Sequence, residues 1–250
     1  MQAYRMSTSQ TFCFVFNHDG QDYTVACFDN TTSRYTTAHV LQGNAYPLFS
    51  FVSNVEVILD VGANIGAASV RFAVAFPKAH VYSFEPAPAS FELLQKNAAP
   101  HANKTPSNIG FYSETKVGNL YRSHFDTVTA SLGKSILNGD SFDTVQLVNP
   151  AQWMRLNSIP HIDILKIDTE GCEVQILTSL KEFIPRIKVV YVEYHSERDR
   201  RTIDELLAPT HILCSAHSQC GHLGELAYAR QDLEPSNGEL HIREITPPKL

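Results

Sequence analysis

Positive charge is scarce in this sequence: 20 Lys and Arg stand against 26 Asp and Glu, a net charge of -6 over 250 residues. Neutralising a nucleic-acid backbone takes a local excess of Lys and Arg, so no nucleic-acid partner is expected. Long apolar runs are missing as well. None reaches the roughly 18 residues that a membrane-crossing helix needs, and runs such as Val189 to Val192 have the length of a buried strand, so no membrane association is expected. Met1 to Gln10 carries Ser, Thr and Gln where a secretion signal would place an apolar stretch, which points to a cytoplasmic protein. Cysteine is sparse. The five residues Cys13, Cys27, Cys172, Cys214 and Cys220 are odd in number and irregular in spacing, which excludes a regular disulfide framework or a CxxC-type zinc site and suits reduced thiols. Repeats and low-complexity tracts are absent, and the single tryptophan, Trp153, is read as a packing residue.

What is present is enough apolar material, 43% of the chain, for one sizeable core. The first fifty residues read as strands. Phe12 to Phe16 and Tyr23 to Phe28 are rich in aromatic and β-branched residues, and Asp19-Gly20 between them signals a hairpin turn. From Val57 short apolar runs alternate with segments of helical period, the mark of a parallel sheet covered on both faces. The expected strands are Val57 to Asp60, His80 to Phe84, Asn108 to Tyr112, Ile162 to Ile167, Val189 to Glu193, His211 to Ser215 and Gly224 to Arg230. Helices are expected at Ala67 to Phe76, Pro88 to Asn97, after Asp168 with Val174, Leu177 and Leu180 on one side, and Glu197 to Leu207. Residues 113–147, rich in Ser, Thr, Gly and Asn, read as hairpins or an extended loop. The fold class is therefore α/β: a doubly wound, Rossmann-like mixed sheet of seven strands, preceded by a β-hairpin. Residues 1–50 form a β-rich extension and candidate substrate cap, 51–233 the main domain, and 234–250 a loosely ordered tail.

The chemistry points to the loop Asp60-Val-Gly-Ala-Asn-Ile-Gly66 between the first domain strand and its helix. Gly62 and Gly66, with Ala63 and Asn64 between them, would let the backbone approach a ligand and aim amide groups at negative charge. The dinucleotide fingerprint requires glycine where Asn64 stands, which counts against a nicotinamide cofactor. A ligand with a lone carboxylate needs fewer amides, and the ammonium and sulfonium of S-adenosylmethionine suit an acidic strand end such as Asp60. Glu85 closes the next strand at about the offset, roughly 20 residues on, of an acid that binds ribose hydroxyls.

The segments Val57-Ile-Leu-Asp-Val-Gly-Ala-Asn-Ile-Gly66, Phe84-Glu-Pro86 with Leu94 and Asn97, and Asp163-Ile-Leu-Lys-Ile-Asp-Thr-Glu-Gly171 with Glu173 together resemble the FkbM-type methyltransferase family, over about Val57 to His195. The resemblance implies a class I methyltransferase fold, S-adenosylmethionine as donor, and O-methylation of a hydroxyl on a sugar, polyketide or related small metabolite. The sequence departs from the family's habit at His101-Ala-Asn-Lys-Thr-Pro106 and at Cys172, which is read as a packing substitution. Asn108 is taken as the adenine contact in the altered stretch.

Transfer to a hydroxyl requires alignment and removal of a proton, by groups at the carboxyl ends of the strands. That criterion selects Asp168 and Glu170 after one strand, and Glu193 and His195 after the next. His195, whose ordinary pKa lies near neutrality, is the candidate base, with Asp168 and Glu170 as its catalytic partners. The four residues are also a set from which a divalent cation would draw ligands, with no spacing that requires one. Lys166 within the strand either extends its stem to water or pairs with an acid. Two other readings stand beside the O-methyltransferase: a non-catalytic protein binding an adenosine ligand, and an NAD-dependent oxidoreductase.

Overall fold

The computed structural model describes residues 10–123, 130–131, 138–220 and 222–233. The chain opens with a hairpin of β1 (Thr11–His18) and β2 (Gln21–Phe28). Its two-residue turn places Asp19 and Gly20 at φ 50° and 80°, the paired positive values of a tight hairpin turn. Asn17 secures the turn by accepting from the Gly20 amide (3.1 Å) and donating to Asp22 (2.8 Å).

A helix, α1 (Thr31–Leu41), follows where only strands were expected. The Asn30 side chain caps it by accepting from the Ser33 amide at 2.8 Å. Its buried stripe is Ser33, Thr37 and Leu41, spaced four apart but mostly hydroxylated, so no apolar period announces the helix in the sequence.

The main domain runs β3 (Val57–Val61), α2 (Ala67–Ala75), β4 (His80–Phe84), α3 (Pro88–Ala98) and β5 (Lys104–Ser107). An insertion carries β6 (Gly110–Phe111), β7 (Lys116–Ser123), β8 (Ala130–Ser131) and β9 (Asn138–Val148). The chain then resumes with α4 (Pro150–Leu156), β10 (Ile164–Ile167), α5 (Glu173–Ser179), β11 (Val189–Tyr194), α6 (Glu197–Leu207), β12 (His211–Cys220) and β13 (Leu223–Arg230).

Seven strands form one sheet in the order β12-β13-β11-β10-β3-β4-β5. The five from β11 to β5 are parallel, while β13 runs antiparallel to β11 and β12 antiparallel to β13. This is the mixed, doubly wound, Rossmann-like sheet of seven strands expected from the sequence. The third domain strand is 104–107 and not 108–112. Pro106 lacks an amide donor, which disfavours a strand assignment, but β5 is the edge of the sheet, where one side needs no partner. Gly110–Phe111 instead joins a second sheet, β6-β9-β7-β8, so the insertion builds its own small layer. The anticipated tail, 234–250, lies outside the described residues.

Alternation along the strands sorts the core into two layers. Ile58, Val81, Ile164 and Val189 face the hairpin, α1 and α2, while Leu59, Leu165, Val190 and Val192 face α5 and α6. Every residue of α2 is buried, Arg71 included, because the N-terminal segment covers its outer side. The Arg71 guanidinium donates to the carbonyls of Ala45 (3.2 Å) and Tyr46 (2.7 Å). Trp153 of α4 packs edge-on against Phe84 and Tyr82.

Asn97 of α3 fastens the hairpin to the domain. It accepts from the Ala26 amide (2.9 Å) and donates to the carbonyls of Ala26 (2.8 Å) and Ile65 (2.7 Å). Replacing it with Ala leaves three backbone groups without these partners, at an expected cost of about 2 kcal/mol. A urea unfolding curve should show a lower midpoint with unchanged slope; an unshifted midpoint would mean that the hairpin is held by packing alone.

Candidate active site

Strand β3 delivers Asp60 to the centre of the sheet, fully buried. The Ser69 hydroxyl of α2 donates to its Oδ2 at 2.5 Å and lies 2.7 Å from the Ser83 hydroxyl, while the Lys166 ammonium stands 3.3 Å from its Oδ1. Asp60 was expected to meet the donor directly, but it does not line the cavity described below. Strand alternation turns it toward α2, beneath the loop.

The loop itself is bound to its neighbours. The amides of Gly62 and Ala63 both donate to the Phe84 carbonyl (3.0 and 2.9 Å), and the Asn64 amide donates to Glu85 Oε2 (2.8 Å). These amides therefore satisfy the end of β4, and the expectation that they reach an anionic ligand is not met. Gly62 sits at φ +74°, and a β-carbon there would lie 1.7 Å from the Asp168 carbonyl oxygen. Gly66, at φ +88°, caps α2 against Leu94. Asn64 lines the cavity, and its Oδ1 is buried with no protein partner.

Glu85 is buried and lines the same cavity. Burial pushes its carboxyl up to about 7, opposed by the amides of Ala87 and Asn64, each 2.8 Å away. Asn108, expected to touch adenine, is exposed and off the cavity. Its side chain donates to the carbonyls of Glu85 (2.8 Å) and Pro86 (3.1 Å), so it fixes the backbone that carries Glu85.

The other half of the site stands on β10 and β11. Lys166, 3% exposed, donates to the Gly62 carbonyl (2.6 Å) and lies 3.5 Å from Asp168. Burial alone would lower its ammonium, but Asp60 and Asp168 outweigh it and raise it. Asp168 accepts from the Tyr46 hydroxyl at 3.0 Å; against the upward push of burial, Lys166 holds it below its ordinary range. Glu193 moves the opposite way, because burial and the adjacent Asp168 charge both favour its protonated form.

His195 is ringed by carboxylates: Glu170 at 3.2 Å, Glu173 at 3.6 Å and Glu193 at 3.8 Å. Burial would lower the ring, but Glu170 and Glu173 override it and raise it to about 11. An imidazolium at neutral pH has no lone pair to accept a proton, so the expected role as general base does not follow. Glu170, at φ +56°, is drawn up by burial and held against it by His195. Glu173, 1% exposed, accepts from the amides of Thr169 (2.9 Å) and Gly171 (3.1 Å) and closes the turn that carries Glu170.

One cavity of about 800 Å³ joins these groups at the carboxyl ends of the parallel strands. Gly62, Ala63, Asn64, Glu85, Asp168, Glu170, Glu193 and His195 all line it, as do Lys166 and Cys172. Carboxyl groups dominate, which suits a cationic ligand and opposes a pyrophosphate. Among the described residues no set of three or more His, Cys, Asp or Glu is arranged to hold a metal ion. No helix among them is long and apolar enough to cross a membrane.

The ionisable lining residues Tyr46, His39, His217 and Glu225 are among those that escaped the sequence reading. Tyr46, at φ +54°, and His39 come from the N-terminal segment, where nothing marked them. Glu225 lies inside an expected strand, and only its register against Glu193 reveals that both face the cavity.

Residues 60–222 match the family described as Methyltransferase FkbM domain. Among curated proteins the chain is similar to the hexuronic acid methyltransferase AglP of Haloferax volcanii, with 26% identity over 61% of this chain and 62% of that protein. It is 22% identical to the 2-O-methyltransferase NoeI of Sinorhizobium fredii over 56% of this chain and 64% of that one. It is also 25% identical to the 31-O-demethyl-FK506 methyltransferase FkbM of Streptomyces tacrolimicus, over 74% and 78%. The chain thus spans a little under two thirds of the first two relatives. Among solved structures, the fibrillarin of Aeropyrum pernix with natively bound S-adenosyl-L-methionine aligns at a TM-score of 0.48 and 12% identity, over 90% of this chain and 85% of that chain.

Two outcomes follow from the geometry. Both ring nitrogens of His195 should remain protonated at pH 8 in ¹H–¹⁵N spectra, and a neutral tautomer at pH 7 would contradict the carboxylate ring. Because the folded value lies above the ordinary 6.5, the stability lent by these ion pairs is complete below pH 6.5 and is lost as pH rises toward about 11. Gly62→Ala should cost about 3 kcal/mol or prevent folding, since positive φ and the Asp168 carbonyl both resist a side chain. Thermal melting reads that loss directly.

Proposed function

The chain belongs to the FkbM methyltransferase family, whose donor is S-adenosylmethionine, and from that premise we propose that it methylates a hydroxyl oxygen on a small sugar, polyketide or related acceptor. The observation that carries this reading is the single cavity, with Glu85 and the glycine loop on one side and the carboxyl-rich ends of β10 and β11 on the other. Two of the relatives, the 2-O-methyltransferase NoeI and the 31-O-demethyl-FK506 methyltransferase FkbM, are named for transfer to oxygen, which supports oxygen as the acceptor atom.

The site suits the donor on three counts. Its volume lies within the range of small-ligand pockets. The buried, unpartnered Oδ1 of Asn64 offers an acceptor for a ligand N–H or hydroxyl. Its acidic lining favours a ligand carrying sulfonium and ammonium charges. Bound there, S-adenosylmethionine supplies a methyl group activated by its positive sulfur.

The chain's residues then divide the work. Glu85, pinned by the amides of Asn64 and Ala87, retains lone pairs on both oxygens for ribose hydroxyls. Asp168, kept ionised by Lys166, faces the donor's ammonium. Asp60 acts from below, by holding Lys166 and through it the Gly62 carbonyl. His195 and Glu170 form a fixed pair that orients the acceptor without taking its proton. Tyr35, Thr36 and His39 of α1 line the cavity, which supports reading the N-terminal segment as a cap that selects the acceptor. The acceptor is a small molecule, with neither nucleic acid nor membrane involved.

Titration calorimetry with S-adenosylmethionine, paired with a screen for S-adenosylhomocysteine release over neutral glycosides, uronic acids, catechols and macrolide alcohols, tests the reading. Glu85→Ala should weaken donor binding at least about tenfold, or about 1.4 kcal/mol. Tight donor binding without methylation of any acceptor would favour the non-catalytic binding protein. Competition by a nicotinamide dinucleotide would revive the oxidoreductase.

A further inference from the structure

The far end of the cavity is built by three adjacent strands in register. Glu193 of β11 lies opposite Glu225 of β13, and Glu225 lies opposite His217 of β12. Directly opposed residues on antiparallel strands project from the same face, so the three side chains form one row, and all three line the cavity. The row continues the line of Asp168 at the end of β10 and is met from α1 by His39, whose Nε2 is 4.0 Å from Glu225 and whose ring centre is 6.1 Å from that of His217.

A hydroxyl acceptor requires a proton acceptor, and the other carboxyls of the cavity are committed. Glu85 holds two amides, Asp168 holds Tyr46 and faces Lys166, Glu170 pairs with His195, and Glu193 shares a proton with Asp168. Among the described residues, the closest ionic partner of Glu225 is the His39 ring at 4.0 Å, and no short hydrogen bond restrains it. We propose that Glu225 is the general base of the reaction, taking the acceptor's hydroxyl proton from its place in the Glu193, Glu225, His217 row. The assignment rests on the methyltransferase reading above.

In the step, the acceptor oxygen forms its bond to the methyl carbon while the carbon–sulfur bond breaks and its electron pair leaves with sulfur. The hydroxyl proton passes to a Glu225 oxygen and is later released to solvent. The groups bearing on Glu225 are Glu193, Asp168 and Lys166 on the sheet side, His217 on β12 and His39 on α1. Burial first, and then Asp168, raise its carboxyl to about 7, against the pull of Lys166. A base in that range is strong enough to assist and still ionised at working pH.

The test has two readouts. In the protein without donor, ¹³C spectra of labelled glutamate should show two carboxyls titrating near pH 7, those of Glu85 and Glu225, and only one of them should remain in Glu225→Gln. In turnover, using the most active acceptor of the screen, wild-type kcat/KM should rise with pH to a plateau above about 7. Glu225→Gln should lower kcat by about 10²- to 10³-fold and abolish that rise, with donor affinity by calorimetry unchanged within twofold. Glu225→Asp, which keeps a carboxylate, should retain the rise and restore part of the rate. If wild type turns over and Glu225→Gln keeps kcat within threefold with the same pH profile, the assignment fails and the methyltransferase reading survives. If wild type methylates no acceptor, both fail together.

Discussion

The Lys166 ammonium is the point on which the site converges. Buried within a strand between two others, it touches the Gly62 carbonyl, faces Asp60 on one side and Asp168 on the other, and stands over the Tyr46 ring at 5.4 Å. A lone buried ammonium is costly, and so is each buried carboxylate; together they satisfy one another, and removing one partner of such a set costs about 3–5 kcal/mol. The arrangement fixes the glycine loop relative to the end of β10 without placing a free cation in the cavity. The cavity therefore stays acidic, which is what a cationic donor requires.

The same constraint explains which parts of the site were legible in the sequence. Strands β3, β4 and β11 declare themselves as short runs rich in apolar residues, α2 and α3 by their apolar content and bounding prolines, and α6 by the spacing of its buried Ile203 and Leu207. Position in the glycine loop or at the carboxyl ends of the strands pointed to Gly62, Glu85, Asp168, Glu170 and His195, which line one cavity. Direction of side chains was less accessible. Asp60 and Gly62 are two residues apart, yet one lies beneath the floor and the other on it, and the loop amides were already engaged by the Phe84 carbonyl. His195 looked like a base by its intrinsic pKa; the three acids around it come from β11 and the segment after β10, so sequence distance hid the ring. Helix α1 was unreadable because its buried stripe is Ser, Thr and Leu, and β5 because its proline is tolerated only at an edge.

The N-terminal segment is part of the site and not an appendage beside it. Its hairpin is held by Asn97, which also holds the Ile65 carbonyl of the glycine loop. Its helix lines the cavity, and the stretch after that helix is tied by Arg71 to α2 and by the Tyr191 hydroxyl to the Pro47 carbonyl at 2.5 Å. Those ties set Tyr46 against Asp168. The N-terminal segment is thus tied by side-chain hydrogen bonds to the glycine loop and to the residues that line the cavity.

The distribution of protons within this acidic cavity decides what each carboxyl can do. Lys166 compensates Asp60 and Asp168, His195 compensates Glu170 and Glu173, and Glu193 avoids the charge by keeping its proton. Each pairing removes a group from acid–base work by fixing its charge. Glu85 and Glu225 are both raised to about 7, but Glu85 is held by two amides, whereas Glu225, one strand farther from Lys166 than Glu193, has the His39 ring at 4.0 Å as its nearest ionic partner among the described residues. Proton transfer needs such a group, because a side chain locked in one state by its neighbours must break those interactions in order to react. The division of labour follows from strand order: charges nearest the sheet centre are fixed, and the group two strands out is free to titrate.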